Sequence, residues 1–326
     1  MLHLVRNNTP YAVLSLLILA VITSSGGAVV PVSLPPVSLP VYYLFIRGAK
    51  SVLGDSFLGW QVLYLALIFL QALYVNSLAM RHRLLAKPTF TPAFAFLVFA
   101  ALFPEFRTIS PPLLGNFFLL GALDAMLQFG KPTQPRRQIF NAGFLIGAAA
   151  FAQFSYLFSG IILLVALLLL RPFHVGEYFS AVLGLLTPIY FVAGVMYLTD
   201  TLPMLRQWPF LHLQNPPWVT GKMPVFIVIY AIAGLLLIAS LFQLNQQMNR
   251  SAIYVRRSWG VLVSGLVVSV AIAALTSLAA GQSWLAIAPF FAWAVSAALE
   301  TEKPRRFAIF AFWAALALPF VGKFFL

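Results

Sequence analysis

"IFNAGFLIGAAAFAQFSYLFSGIILLVALLLL" (residues 139–170) is a run of 32 residues without one charged side chain. As a single helix it would be about 48 Å long, against a hydrocarbon core of about 30 Å. It is therefore either one steeply tilted helix or two short ones that meet near Gln153. The choice sets the sidedness of everything downstream, and charge decides it. With two crossings, fourteen of the twenty Lys and Arg residues fall on the side of the N-terminus; with one crossing the division is ten against ten. Basic residues are retained on the cytoplasmic side of membrane proteins, so two crossings are expected, with the N-terminus inside.

Working outward, further apolar stretches lie near 10–30, 57–80, 90–104, 109–129, 179–199, 223–244, 258–279, 282–299 and 307–325. With 139–153 and 155–170 they make eleven spans. Composition agrees: 62% of the 326 residues are hydrophobic, 8% are charged, and the mean hydropathy is +0.95. A water-soluble core cannot hide so much apolar surface. The stretches lack the period-two alternation of outer-membrane strands, which excludes a β-barrel. The expected fold is all-α: a polytopic helical integral membrane protein forming a single domain over residues 1–326. Arg6 and the apolar run after it imitate a signal peptide, but the run continues through Val30 and reads as a retained first span.

The excess of 20 Lys+Arg over 7 Asp+Glu is explained by topology and does not require nucleic acid. The clusters "RHRLLAK", "KPTQPRR", "YVRRSW" and "EKPRR" are topology determinants at head-group depth. With no cysteine there is neither a disulfide nor a thiol nucleophile. The chain has no phosphate-binding glycine loop, zinc helix motif or nucleophile elbow.

On this topology the external loops hold Arg47, Lys50, Asp55, Glu105, Arg107, Asp200, Arg206, His212 and Lys222. Pro-Val-Ser-Leu-Pro occurs twice in tandem at 31–40. It removes backbone donors and favours extended geometry, as a spacer would. The spacer leads to residues 41–53, where Phe45, Ala49 and Val52/Leu53 share one helical face while Arg47 and Lys50 point to another. This is the pattern of an interfacial helix.

Two further stretches are "LFPEFRTISPPLLGNFFLLGALDAML" (102–127) and "FNAGFLIGAAAFAQFSYLFSGIILLVALLLLRPFHVGE" (140–177). Their layout is a short span, an acidic-proline-serine loop, a span, a basic loop, a Gly-rich short helix and a Leu-rich helix ending in arginine. That layout, over roughly the first 200 residues, resembles the N-terminal module of the GT-C glycosyltransferases, which use polyprenyl-phosphate sugars. "FLQALYVNSLAMRHRLL", "LFPEF", "FNAGFLIGAA" and "LLLRPFHVGEY" are similar to an uncharacterised family of bacterial multi-pass membrane proteins. Some members of that family are labelled as carotenoid-cleaving monooxygenases. That label implies an iron held by four histidines, whereas His3, His82 and His174 fall on the cytoplasmic side and His212 outside. No metal set is evident.

The GT-C resemblance implies recognition of a polyprenyl-phosphate lipid at the external face of the bacterial inner membrane, with transfer of a lipid-linked sugar. Such chemistry needs a carboxylate near the acceptor hydroxyl and cations for the departing phosphate. Asp55 and Glu105 are the carboxylates it implies, and Arg47, Lys50, Arg107 and Arg206 the phosphate partners, with Asp200 and His212 in the same loops. In the family pattern the first carboxylate follows span one closely; here that place holds proline, serine and leucine, and Asp55 comes only at the far end of the loop. Asp55 with Ser56 can equally start the helix at residue 57, and Glu105 can neutralise Arg107 beside a turn. No cofactor is implied by the residues.

The alternative is a non-catalytic subunit or scaffold of an envelope complex. Asp124 is the only acid inside a span, with Gln128 and Asn116 on the same side of its helix. Gly143, Gly147 and Ala150 form a small-residue ridge suited to close helix packing.

Overall fold

The computed structural model describes residues 5–6, 9–24, 40–130, 135–200, 202–203, 223–248, 251–275, 279–300 and 305–325. Among these residues the protein is all-helical, with no strand. Five helices are long and apolar enough to cross a membrane: Phe57–Arg81, Val175–Leu198, Ile227–Met248, Ile253–Ala274 and Gln282–Leu299. Around them are shorter apolar helices. The proline repeat through residue 39 and the external loop with Arg206, His212 and Lys222 lie outside the described residues.

In chain order, α1 is Pro10–Ser24, α2 Pro40–Leu53, α3 Phe57–Arg81 and α4 Thr91–Ala100. A 3₁₀ turn, Pro104–Arg107, leads to α5, Pro111–Leu127, and then to α6, Pro135–Ala152. Another 3₁₀ turn, Phe154–Ser159, precedes α7, Gly160–Leu170, and α8, Val175–Leu198. The remainder is α9, Met223–Met248; α10, Ile253–Leu275; the 3₁₀ segment Ala279–Ile287; α11, Ala288–Leu299; and α12, Arg305–Phe325.

Local chemistry sets several boundaries. Ser56 caps α3, its hydroxyl accepting from Gly59 N at 3.2 Å. Asp55 is therefore not the cap; it pairs with Lys50 at 3.6 Å on an exposed surface. Prolines open α5 and lie in the first turns of α4 and α11, where a missing backbone donor costs nothing.

The 139–170 stretch is broken. Its helix stops at Ala152, Gln153 is extended (φ −155°, ψ 121°), and a 3₁₀ turn precedes α7. The chain then doubles back, as its neighbours demonstrate. Tyr156 lies on Gly115 and Asn116 at the start of α5. Leu169 lies on Gly260 near the start of α10, and Tyr254 of that same helix donates to Leu127 O at the other end of α5. So α7 runs alongside α5 in the same direction as α5, opposite to α6.

The return lets α6 and α8 run parallel. Gly143 abuts Ala181 and Leu185, and Gly147 abuts Leu185 and Pro188, so contacts advance together on both helices. A methyl at Gly143 would stand 2.5 Å from the Ala181 carbonyl oxygen, and one at Gly147 the same distance from that of Leu185. Gly184 faces the Phe140 carbonyl in the same way. The glycine ridge is thus occupied within the chain, by backbone meeting backbone.

The interior is built around α4, α5 and α11. Every residue of α4 and α11 is buried. Phe94 stacks on Phe312 at 4.8 Å, and Phe99 meets Phe291 at 4.7 Å. Buried side-chain donors reach carbonyls across helices: Trp293 Nε1 to Val75 O at 3.1 Å, Asn116 Nδ2 to Leu285 O at 3.0 Å, and Gln71 Nε2 to Leu113 O. Such bonds tie helices together where apolar contact alone discriminates little between a neighbour and lipid.

Candidate functional site

The end of the molecule remote from the arginine clusters is organised by α2. Tyr42 and Ile46 bury one of its faces, and the Tyr42 hydroxyl donates to Ile109 O at 2.7 Å, in the connection that leads into α5. Gly54, at φ +57°, turns the chain into α3, and Trp60 Nε1 holds that turn by donating to the Gly54 carbonyl at 3.0 Å. A left-handed residue is readily supplied by glycine, and this one fixes the angle between α2 and α3.

Between the two helices runs an open groove of about 780 Å³. On α2 it is lined by Leu44, Phe45, Gly48 and Val52, and on α3 by Leu58 and Val62. It continues along α3 to Ala66, two turns beyond Leu58. Leu44, Val52 and Leu58 are strongly exposed into it, at 65%, 83% and 71%. Gly48 opens its middle: a Cβ built there meets nothing within 4 Å. The lining side chains offer no hydrogen-bonding group. A hydrocarbon or isoprenoid chain can lie there by dispersion contact, and a polar ligand would leave its groups unsatisfied. Arg47 and Lys50 stand exposed on the same short helix, with Asp55 at its end.

The structure thus brings Arg47, Lys50 and Asp55 together on α2 and the turn after it. Arg107 is elsewhere. It closes the turn Pro104–Arg107, is buried to 4% exposure, and donates to Ala101 O at 3.4 Å. It shares with Thr23, Ser24 and Tyr64 a separate cavity of about 10 Å³. That volume is comparable to one water molecule and too small for a phosphate group. The backbone of Glu105 lies in the same turn, and its side chain is outside the described residues. Asp200 ends α8 in the left-handed region at φ +54°, exposed and on a third element.

Asp124 is fully engaged at the opposite, arginine-rich end. It forms an ion pair with Arg81, lies 2.7 Å from His82 Nε2, and accepts from Gln128 Nε2 at 3.3 Å. Asp124 therefore joins the ends of α3 and α5; it is not alone, since Glu177 is buried in the first turn of α8 and pairs with Arg171. Sequence reasoning found Gln128 by its helical spacing, whereas Arg81 and His82 are more than forty residues away and only the fold pairs them. Two features of the groove were also missed, Gly48 and the Tyr42 anchor. A glycine in the middle of an amphipathic helix was the available signal.

No protein-family model matches the chain, and neither the curated proteins nor the solved structures contain a match to it.

Proposed function

We propose that the protein is an eleven-span protein of the bacterial inner membrane, N-terminus cytoplasmic, that recognises a polyprenyl-phosphate-type lipid at its external face. One observation carries this reading. An all-hydrocarbon groove of about 780 Å³ runs down α3 from an interfacial helix that bears Arg47 and Lys50. An isoprenoid chain fits the groove chemically, and Arg47 and Lys50, exposed on another face of the same helix, are the cations this reading assigns to its phosphate. The GT-C-like layout of the sequence is consistent with it. The span count rests on the charge asymmetry together with the break at Gln153. The helices shorter than a bilayer, such as α4, are enclosed by others, so lipid thickness does not dictate their length.

In the catalytic form of this reading, a lipid-linked sugar is transferred at the groove mouth. Asp55 is then the carboxylate that accepts the proton of the acceptor hydroxyl, and Glu105 from the neighbouring loop is the second. The scaffold reading loses its two best features, because the glycine ridge and Asp124 are both engaged inside the chain.

Native mass spectrometry of gently extracted protein tests the proposal. We expect a retained polyprenyl phosphate or its sugar adduct. Gly48→Leu puts a side chain into the middle of the groove, at a position where a Cβ meets nothing within 4 Å, and should abolish retention, while Arg47→Ala with Lys50→Ala should lower it about tenfold. Retention of bulk phospholipid alone, unchanged by Gly48→Leu, would overturn it.

A further inference from the structure

At the arginine-rich end a second cavity, of about 580 Å³, lies where five chain segments converge. Its walls are Arg6 before α1, the α3–α4 connection, the end of α9, the first turns of α10, and Glu300 after α11. Three cations line it: Arg6, Arg83 and Lys87. Glu300 is the one acid among its lining residues.

The walls are held in place by specific bonds. Arg6 Nε donates to Leu299 O at 2.8 Å, which anchors the N-terminal segment to the end of α11. Trp259 Nε1 donates to Leu84 O at 3.0 Å and holds the α3–α4 connection against α10. In that connection Arg83 adopts φ +50°, a left-handed conformation that costs a non-glycine residue energy and aims its side chain differently from those of the helix before it. Gln247 Nε2 donates to Ala297 O at 3.1 Å, and Thr89 donates to Glu300 Oε1 at 2.5 Å. The cavity also has apolar lining from Leu244, Val255 and Trp259.

We infer that this cavity binds a phosphate monoester with an apolar remainder, the phosphate held by Arg83 and Lys87 with Arg6 behind them and the remainder lying on Trp259 and Val255. Three cations against one carboxylate match a dianion, and arginine presents paired donors suited to phosphate oxygens. Topology alone explains basic residues at this end, but not three of them around a recess that also has an apolar wall. Glu300 reinforces the match: burial pushes its carboxyl up to about 7, so near neutrality it only partly opposes an incoming anion. The ligand is either a lipid of the inner leaflet or a soluble phosphate ester, which share this head group.

Calorimetric titration of the full chain in neutral maltoside micelles at 150 mM salt distinguishes them. The probes are dihexanoyl phosphatidic acid and phenyl phosphate, a soluble monoester with an apolar remainder. We expect saturable binding, weakened about tenfold or more in Arg83→Gly with Lys87→Gln. Glycine keeps the left-handed backbone at position 83. Ala252→Trp, at the exposed rim, should block binding without altering charge. Arg256→Gln with Arg257→Gln, at the same end but outside the cavity, should leave it unchanged. Saturation by the lipid alone identifies a leaflet phospholipid, and equal saturation by both identifies a soluble ester. No saturable binding of either probe, or equal affinity in wild type and the cavity variants, would overturn the inference.

Discussion

Helices α4 and α8 are almost equally apolar in sequence and occupy opposite situations. All of α4 is buried, whereas only 17% of the most apolar window of α8 is. The buried positions of α8 are Glu177, Ala181, Gly184 and Pro188, a stripe every three or four residues and the least greasy part of the helix. Its large residues, Phe179, Leu186, Tyr190 and Phe191 among them, face outward. Lipid is as apolar as leucine, so in a membrane size and shape decide which face packs, and hydropathy does not. Hydropathy reveals the medium; small and polar residues reveal the neighbour.

The comparison breaks most decisively at Gly184. Gly184→Leu drives a side chain into the Phe140 carbonyl, and backbone cannot yield as a side-chain tip can. The α6–α8 pair should separate, with loss of a monodisperse species on size-exclusion chromatography. A variant that keeps the wild-type elution and melting temperature would show that α8 is held by its outer contacts instead. Next in size is a contrast of two phenylalanines. Phe94→Ala removes a stacked ring from the interior and should cost about 3 kcal/mol, whereas Phe191→Ala on the outer face of α8 should cost under about 0.5 kcal/mol. Thermal unfolding in detergent measures both, and similar losses would erase the distinction.

The smallest effect concerns the capped end of the buried pair. Glu300 follows α11 and accepts from Thr89, just ahead of α4, with Arg6 and Lys87 near it. Burial raises its carboxyl from 4.5 to about 7, against the lowering influence of those groups. The folded protein therefore binds this proton more tightly than the unfolded chain does. That contribution to stability is complete below about pH 4.5 and is lost as pH rises through about 7. The melting temperature should fall by about 2–4 °C across this window, and Glu300→Gln should flatten the dependence.

Much of this was legible in the sequence because it is local. The break at Gln153 follows from length against bilayer thickness, and α2 follows from the spacing of Phe45, Ala49, Arg47 and Lys50. The glycine ridge was legible as a ridge, but its partner was not, because α8 begins more than twenty residues after Ala152 and is identified only once α7 turns back. Arg107 failed for a related reason. A charged residue in a proline-rich loop reads as solvated, yet the turn Pro104–Arg107 folds inward and the guanidinium meets Ala101 O. The cavity around Arg6, Arg83 and Lys87 draws on positions from residue 6 to residue 300, and no spacing rule reaches that far.

The parallel pairing of α6 and α8 has a consequence for how the chain is made. Helix α6 carries Arg136, Arg137 and Asn141, and at Gly143 and Gly147 it shows bare backbone to whatever lies beside it. The surface that covers this face is Ala181 to Pro188, roughly forty residues later in the chain. At a synthesis rate of about 5–20 residues per second, α6 and the returning α7 wait some seconds before their cover emerges. During that interval α6 lacks the surface that covers it in the folded protein, so the α6–α8 contact forms only after α7 has turned back and α8 has followed it.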